Sequence, residues 1–207
     1  MKKPKLKICG MKYNIAEVAT LRPDYMGFIF YKHSQRFFEG IIPTLPSGTK
    51  KVGVFVNATL KEITEKVNTY CLDVIQLHGE ETPEFCRNIR NFKKLDHVNV
   101  WRVFSIKDAF NFNQLHVYES VVDKFLFDTK GKDKGGNGFT FNWDVLKKYD
   151  SEKPFILSGG IGLQQLPALN EILKTDLPIY AVDVNSRFEI EPGKKHIDHL
   201  KQFIHEL

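Results

Sequence analysis

PFILSGGIGLQQLPALNEILKTDLPIYAVDVNS, running from Pro154 to Ser186, holds two short apolar runs, each closed by small or polar residues. The first is Pro154-Phe-Ile-Leu157, ending in Ser158-Gly-Gly160. The second is Ile179-Tyr-Ala-Val182, ending in Asp183-Val-Asn-Ser186. Between them, from about Leu163 to Leu173, the apolar residues recur at helical spacing. Two apolar runs joined by one helix form a β-α-β unit, whose strands must lie parallel with a right-handed crossover.

The same grammar repeats in both directions along the chain. Lys5-Leu-Lys-Ile-Cys9 closes at Gly10, and Asn14 with Glu17 reads as a capping box for the helix that follows. Next come Tyr25-Met-Gly-Phe-Ile-Phe30 and Lys51-Val-Gly-Val-Phe-Val56. Thr59 then caps a helix carrying Leu60, Ile63 and Val67 on one face. Val74-Ile-Gln-Leu77 ends at His78-Gly79, with a helix expected from Pro83. Val98 to Phe104 is followed by an expected helix from about Ile106, and Lys124-Phe-Leu-Phe127 ends at Asp128. A short helix is expected around Asn142 to Tyr149, and a basic amphipathic helix from Lys194 to Leu207 closes the chain. After the second run, Arg36 to Gly40 allows only a turn or a short helix. Eight such units predict a single-domain α/β fold over residues 1–207, a closed (β/α)8 TIM barrel. An open doubly wound sheet would carry a Gly-x-Gly-x-x-Gly turn after its first strand, which is not here.

With 42% hydrophobic and 27% charged residues, the 207-residue chain has ordinary globular composition, which argues against disorder, collagen and coiled coil. Thirty basic against 25 acidic residues give a net charge of +5, spread along the chain. Such an excess suits an anionic small molecule as well as a nucleic acid, but no lysine run interleaved with aromatics forms a nucleic-acid motif. Cys9, Cys71 and Cys86 form neither a disulfide framework nor a zinc spacing, and a reducing cytoplasm is expected. The basic start lacks the apolar segment of a signal peptide. The longest uncharged apolar run, about Tyr25 to Tyr31, falls far short of the roughly 20 residues of a membrane span. The seven histidines show no ligand spacing, so no metal is expected.

In this fold active sites form at the carboxyl ends of the strands, where Cys9, Arg36, Asn57, Gln76, His78, Arg102, Asp128, Gly159, Gly160, Asp183, Asn185 and Ser186 collect. A free cysteine is often a small buried hydrophobe, and Cys71 and Cys86 read that way. Cys9 closes a strand beside a glycine, and strand alternation puts Lys7 on the same side, where a cation would favour the thiolate. Asp128 reads either as a loop cap or as a carboxyl group whose pKa burial raises until it donates protons near neutrality. Gly159-Gly160 and Asn185-Ser186 follow the two strands whose loops commonly hold phosphate in barrels. Arg36, between Gln35 and Phe37, is either an exposed arginine or a bidentate partner for a carboxylate. His78, Gln76, Lys7 and Asp183 are candidate wall residues. Gly131 to Gly138 reads as a lid or a plain linker, and Trp101 and Trp143 as core.

Taken in order, Lys7-Ile-Cys-Gly10, Gly27-Phe-Ile-Phe30 with Ser34-Gln-Arg36, Val52-Gly-Val-Phe-Val-Asn57, Ile75-Gln-Leu-His-Gly79, Phe127-Asp128, Gly135-Gly-Asn-Gly138 with Phe141 and Trp143, Leu157-Ser-Gly-Gly-Ile161, and Val182-Asp-Val-Asn-Ser186 with Glu189, Pro192 and Gly193 resemble the phosphoribosylanthranilate isomerases of tryptophan biosynthesis. The resemblance runs from end to end. It implies a cofactor-free Amadori rearrangement of N-(5-phosphoribosyl)anthranilate to 1-(2-carboxyphenylamino)-1-deoxyribulose 5-phosphate. By similarity Cys9 is the general base, Asp128 the general acid and Arg36 the carboxylate anchor; Gly159, Gly160, Asn185 and Ser186 bind phosphate. The expected partner is this small phosphorylated molecule, with no nucleic acid and no membrane, on a monomer or homodimer. Two departures stand out. Arg187 replaces the glycine that many members have after the serine, and Gln164-Gln-Leu-Pro167 stands where many carry Asn-Pro. A histidine-pathway sugar-phosphate isomerase would have an aspartate at Cys9. A non-catalytic sugar-phosphate-binding barrel would need the phosphate loops but not both Cys9 and Asp128.

Overall fold

A computed structural model describes residues 3–107, 109–129 and 142–207. The strands are β1 (Lys5–Ile8), β2 (Tyr25–Ile29), β3 (Lys50–Phe55), β4 (Val74–Leu77), β5 (Asn99–Ile106), β6 (Lys124–Thr129), β7 (Phe155–Leu157) and β8 (Ile179–Val184). They are parallel and pair in sequence order, and β8 closes on β1 to complete the expected (β/α)8 barrel. Strand alternation separates two apolar layers. Val52, Val74, Trp101, Val103, Leu126 and Ile156 fill the barrel interior, while Leu6, Ile8, Phe28, Ile75, Leu77 and Phe125 face the surrounding helices. Above that interior floor, the strand ends turn polar. There the β1–β8 register sets Lys7 opposite Asp183.

Around the barrel run α1 (Ile15–Ala19), α2 (Leu60–Tyr70), α3 (Pro83–Asn91), α4 (His116–Glu119), α5 (Leu166–Ile172) and α6 (Ile197–Glu206). The helix starts at Thr59 and Pro83 are where the sequence places them. Thr59 forms a full capping box with Glu62, worth typically ~1 kcal/mol. Thr82 caps α3, with Pro83 in its first turn. The connection from β2 to β3 carries no helix among its residues.

Several local expectations are corrected. Asn14 makes no side-chain cap. Its amide instead brackets the backbone of Lys195, donating to the carbonyl (2.9 Å) and accepting from the N–H (2.9 Å). Lys194 and Lys195 are not helical: they form β10, antiparallel to β9 (Glu189–Glu191), and α6 starts only at Ile197. The strand β5 extends through Ile106, so the expected helix there is displaced to a 3-10 turn at Phe112–Leu115 and the single turn of α4. Residues Trp143–Lys148 form a 3-10 helix capped by Asn142. The helix expected from Leu163 begins with a 3-10 turn, Leu163–Gln165, before α5. Cys71 is exposed at the left-handed end of α2 rather than packed, whereas Cys86 is buried. Trp101 is core, and Trp143 packs half-buried against the helix-side layer. The lid expected at Gly131 to Gly138 lies outside the described residues.

Candidate active site

The carboxyl ends of the strands enclose a cavity of about 470 Å³. Cys9, Gln76, His78, Asp128 and Asp183 line it, and so do Arg36, Gly159, Gly160, Asn185 and Ser186. The structure therefore brings together the candidates that the sequence scatters from residue 9 to residue 186.

Cys9 follows β1, with its N–H bonded to the Val184 carbonyl at 2.9 Å, and only 5% of it is exposed. Its environment corrects the expected thiolate. Burial pushes the thiol up, and the cations Lys7 and Lys195 only partly offset this, so its pKa stays above the ordinary value. Lys7 is fully buried beneath the cavity rather than in its wall. Its ammonium lies 2.9 Å from both oxygens of Asp183. Burial pulls the Lys7 pKa down, but Asp183 and Cys9 more than offset this and hold it raised. Removing one partner of such a pair typically costs ~3–5 kcal/mol.

Asp128, 5% exposed, stands at the end of β6. Its Oδ1 accepts the Thr129 N–H at 3.0 Å, and its Oδ2 faces His78 Nε2 at 3.4 Å. Gln76 is 2% exposed, and its Oε1 has no hydrogen-bond partner among the described residues.

Arg36 comes from the loop after β2. It is clamped by Glu189, from Nε to Oε1 at 2.9 Å and from Nη2 to Oε2 at 2.6 Å. Its Nη1 bonds to no described residue. Gly10 makes this arrangement possible. At φ +71° it favours glycine, and a Cβ there would stand 2.5 Å from Asn185 Oδ1 and 2.8 Å from Arg36 Cδ. Gly159 also has a positive φ, +93°, and a Cβ would collide with Thr129. Arg187 lines the cavity, with its stem against Gly162. Gln165 supplies the cap left open by the missing Asn-Pro pair: its Oε1 accepts the Gly162 N–H at 3.0 Å.

Two strand-end residues belong elsewhere. Arg102 points to the helix side of β5, where it donates to the carbonyls of Val103 and Gly79 and pairs with Glu81. Asn57 accepts the Glu80 N–H at 2.7 Å and fixes the same loop. Sequence reasoning missed Lys195, fully buried, whose ammonium bonds Asn185 Oδ1 (2.7 Å) and Glu189 Oε1 (2.8 Å). Two adjacent lysines before an apolar-periodic stretch read as helix, and nothing local marks the second as buried.

No helix of the described residues is long and apolar enough to cross a membrane. The described cavity residues thus combine a thiol and a carboxyl group with an arginine and two glycine- or serine-bearing loops. That set offers proton transfer at two atoms and grips for two anionic groups.

Residues 6–206 match the family model described as N-(5'phosphoribosyl)anthranilate (PRA) isomerase. An N-(5'-phosphoribosyl)anthranilate isomerase of Parabacteroides distasonis is 43% identical, with 98% of this chain and 92% of that protein covered. The crystal structure of the phosphoribosyl anthranilate isomerase of Thermus thermophilus matches with a TM-score of 0.81 at 25% identity, covering 98% of this chain and 97% of that one. Another such isomerase, solved in complex with reduced 1-(o-carboxyphenylamino)-1-deoxyribulose 5-phosphate, matches with a TM-score of 0.78 at 27% identity, over 99% and 98% of the two chains.

Proposed function

The chain belongs to the family of N-(5'-phosphoribosyl)anthranilate isomerases, and from that premise we propose that Cys9 and Asp128 are the base and the acid of its reaction. The activity is the isomerisation of N-(5'-phosphoribosyl)anthranilate in tryptophan biosynthesis. The observation that carries the residue roles is that Cys9 and Asp128 border one cavity together with Arg36 and the Gly159-Gly160 and Asn185-Ser186 loops. A ligand with a carboxylate at one end and a phosphate at the other, such as the one in the solved relative, fits that distribution of groups.

The Asp128 carboxylic acid gives its proton to the ribose ring oxygen. The C1–O bond breaks, and the nitrogen lone pair forms a C1=N iminium ion. The iminium acidifies the proton on C2. The Cys9 thiolate removes it, and the C–H electron pair becomes a C1=C2 bond while the C=N pair returns to nitrogen. The enolamine then takes a proton at C1 and loses one from the C2 hydroxyl, giving the ketone. Each transfer is typically worth about 10²–10⁴-fold. Arg36 anchors the carboxylate through Nη1, and the two loops hold the phosphate, which keeps the opened sugar in register.

Arg36→Ala is expected to raise KM about 10–100-fold with a much smaller change in kcat, because it holds a group remote from the reacting atoms. Steady-state kinetics on the anthranilate derivative measure this, and an unchanged KM removes the assignment. We assign Gln76, which lines the cavity and whose Oε1 is sealed from it, to donate a hydrogen bond from Nε2 to a substrate hydroxyl. Gln76→Leu is expected to lower kcat/KM about tenfold without lowering the melting temperature, since that oxygen bonds no described protein group. A melting curve and kcat/KM together check this; an unchanged kcat/KM counts against the role.

The three cysteines are free, and we place the enzyme in the cytoplasm, acting as a monomer or homodimer on its phosphorylated substrate.

A further inference from the structure

We propose that Lys195 is a positioning residue that ties the Arg36 carboxylate anchor to the Asn185 phosphate loop. The proposal rests on the roles assigned above to Arg36 and Asn185. Lys195 is fully buried and does not line the cavity, so it acts through other residues. Its ammonium donates to Asn185 Oδ1 at 2.7 Å and to Glu189 Oε1 at 2.8 Å. The same Glu189 carboxylate holds Arg36 by three hydrogen bonds and accepts the Gly193 N–H at 3.0 Å. One ammonium thus joins the loop after β8 to the arginine from the loop after β2. Arg36 and Asn185 stand 149 residues apart in the chain (185 minus 36), so their relative placement depends on such tertiary ties.

The ammonium is itself fixed from behind. Asn14 brackets the Lys195 backbone from the start of α1, and β9 and β10 form the two-stranded ribbon that carries Glu189 and Lys195 side by side. A buried, charge-assisted junction of this kind is rigid, because each partner that moves leaves a charge desolvated and unpaired. Burial lowers the Lys195 pKa to about 8, against Glu189, which raises it. Glu189, for its part, is held below its ordinary value: burial opposes ionisation, but Arg36 and Lys195 outweigh it. The pair is therefore charged at neutral pH, with Cys9, Arg36 and Asp183 the other titratable or charged groups acting on it.

A double-mutant cycle between Lys195→Met and Arg36→Ala tests the inference. Methionine keeps an unbranched apolar stem and removes the ammonium. Alone, Lys195→Met is expected to lower kcat/KM about 100-fold, chiefly through KM, because it slackens both grips and touches no reacting atom. In the Arg36→Ala background the same change is expected to cost about tenfold or less, since only the Asn185 grip is left for it to slacken. Circular dichroism and melting curves establish that each variant is folded. Should Lys195→Met not fold, Glu189→Gln replaces it in the cycle; it keeps the side-chain shape and removes the charge that both cations share, and the same loss of effect beside Arg36→Ala is expected. Equal losses in the two backgrounds, with Arg36→Ala alone raising KM, overturn the positioning role and leave the Arg36 reading intact. An Arg36→Ala variant with wild-type KM overturns that reading and this inference with it.

Discussion

Cys9→Ser is expected to lower kcat about 10²–10⁴-fold while the barrel stays folded. A serine hydroxyl is far less acidic than a thiol, so the substitution removes the base and little else. The backbone bond from residue 9 to Val184 is unaffected, and the smaller oxygen meets no new steric demand in a cavity-facing position. Cys9 grips neither anionic end of the substrate, so KM should stay near its wild-type value. The assay follows the loss of fluorescence of the aminoaldose formed from anthranilate and ribose 5-phosphate; near wild-type kcat in Cys9→Ser removes the base assignment. The surroundings explain why a thiol is tolerable as a base here at all. Burial holds it protonated beyond its ordinary range, which lowers the thiolate fraction but makes the thiolate that does form a stronger base.

Asp128→Asn should cost kcat by a similar factor, about 10²–10⁴-fold. The amide matches the carboxyl group in shape, so it retains an acceptor for the Thr129 N–H and keeps its position opposite His78. What it lacks is a proton that can pass to the ribose ring oxygen, and without ring opening there is no iminium to acidify C2. Loss of turnover with an unchanged melting temperature is the expected pair of results. Wild-type turnover in Asp128→Asn would show that the ring opens without this acid.

The barrel was legible because each strand is a short apolar run with its own polar end, and the alternation of Lys5, Lys7 and Cys9 already separates the interior from the helix side. The cavity residues were legible for the same reason: in a parallel barrel the strand ends must converge, so Cys9, Gln76, His78, Asp128 and Asp183 share one rim without any knowledge of distances. What the sequence conceals is pairing across the chain. Asn14 and Lys195 meet 181 positions apart, and the capping pattern at Asn14 is overridden because the Lys195 backbone offers its amide two bonds. Arg102 ends on the helix side because alternation along β5 gives the interior to Trp101 and Val103. The state of Cys9 is likewise a balance that adjacency alone misjudges: Lys7 is the neighbour expected, but its charge is matched by Asp183, and desolvation prevails.

The sharpest measurement follows the hydrogen on C2. Substrate carrying deuterium at that carbon, taken through a single turnover and read by NMR, reports the step assigned to the thiolate apart from product release. The wild-type enzyme is predicted to strip the label from C2 as the ketone forms, and Cys9→Ser to leave it in place. Removal of the deuterium by Cys9→Ser at the wild-type rate would contradict the assignment of the base.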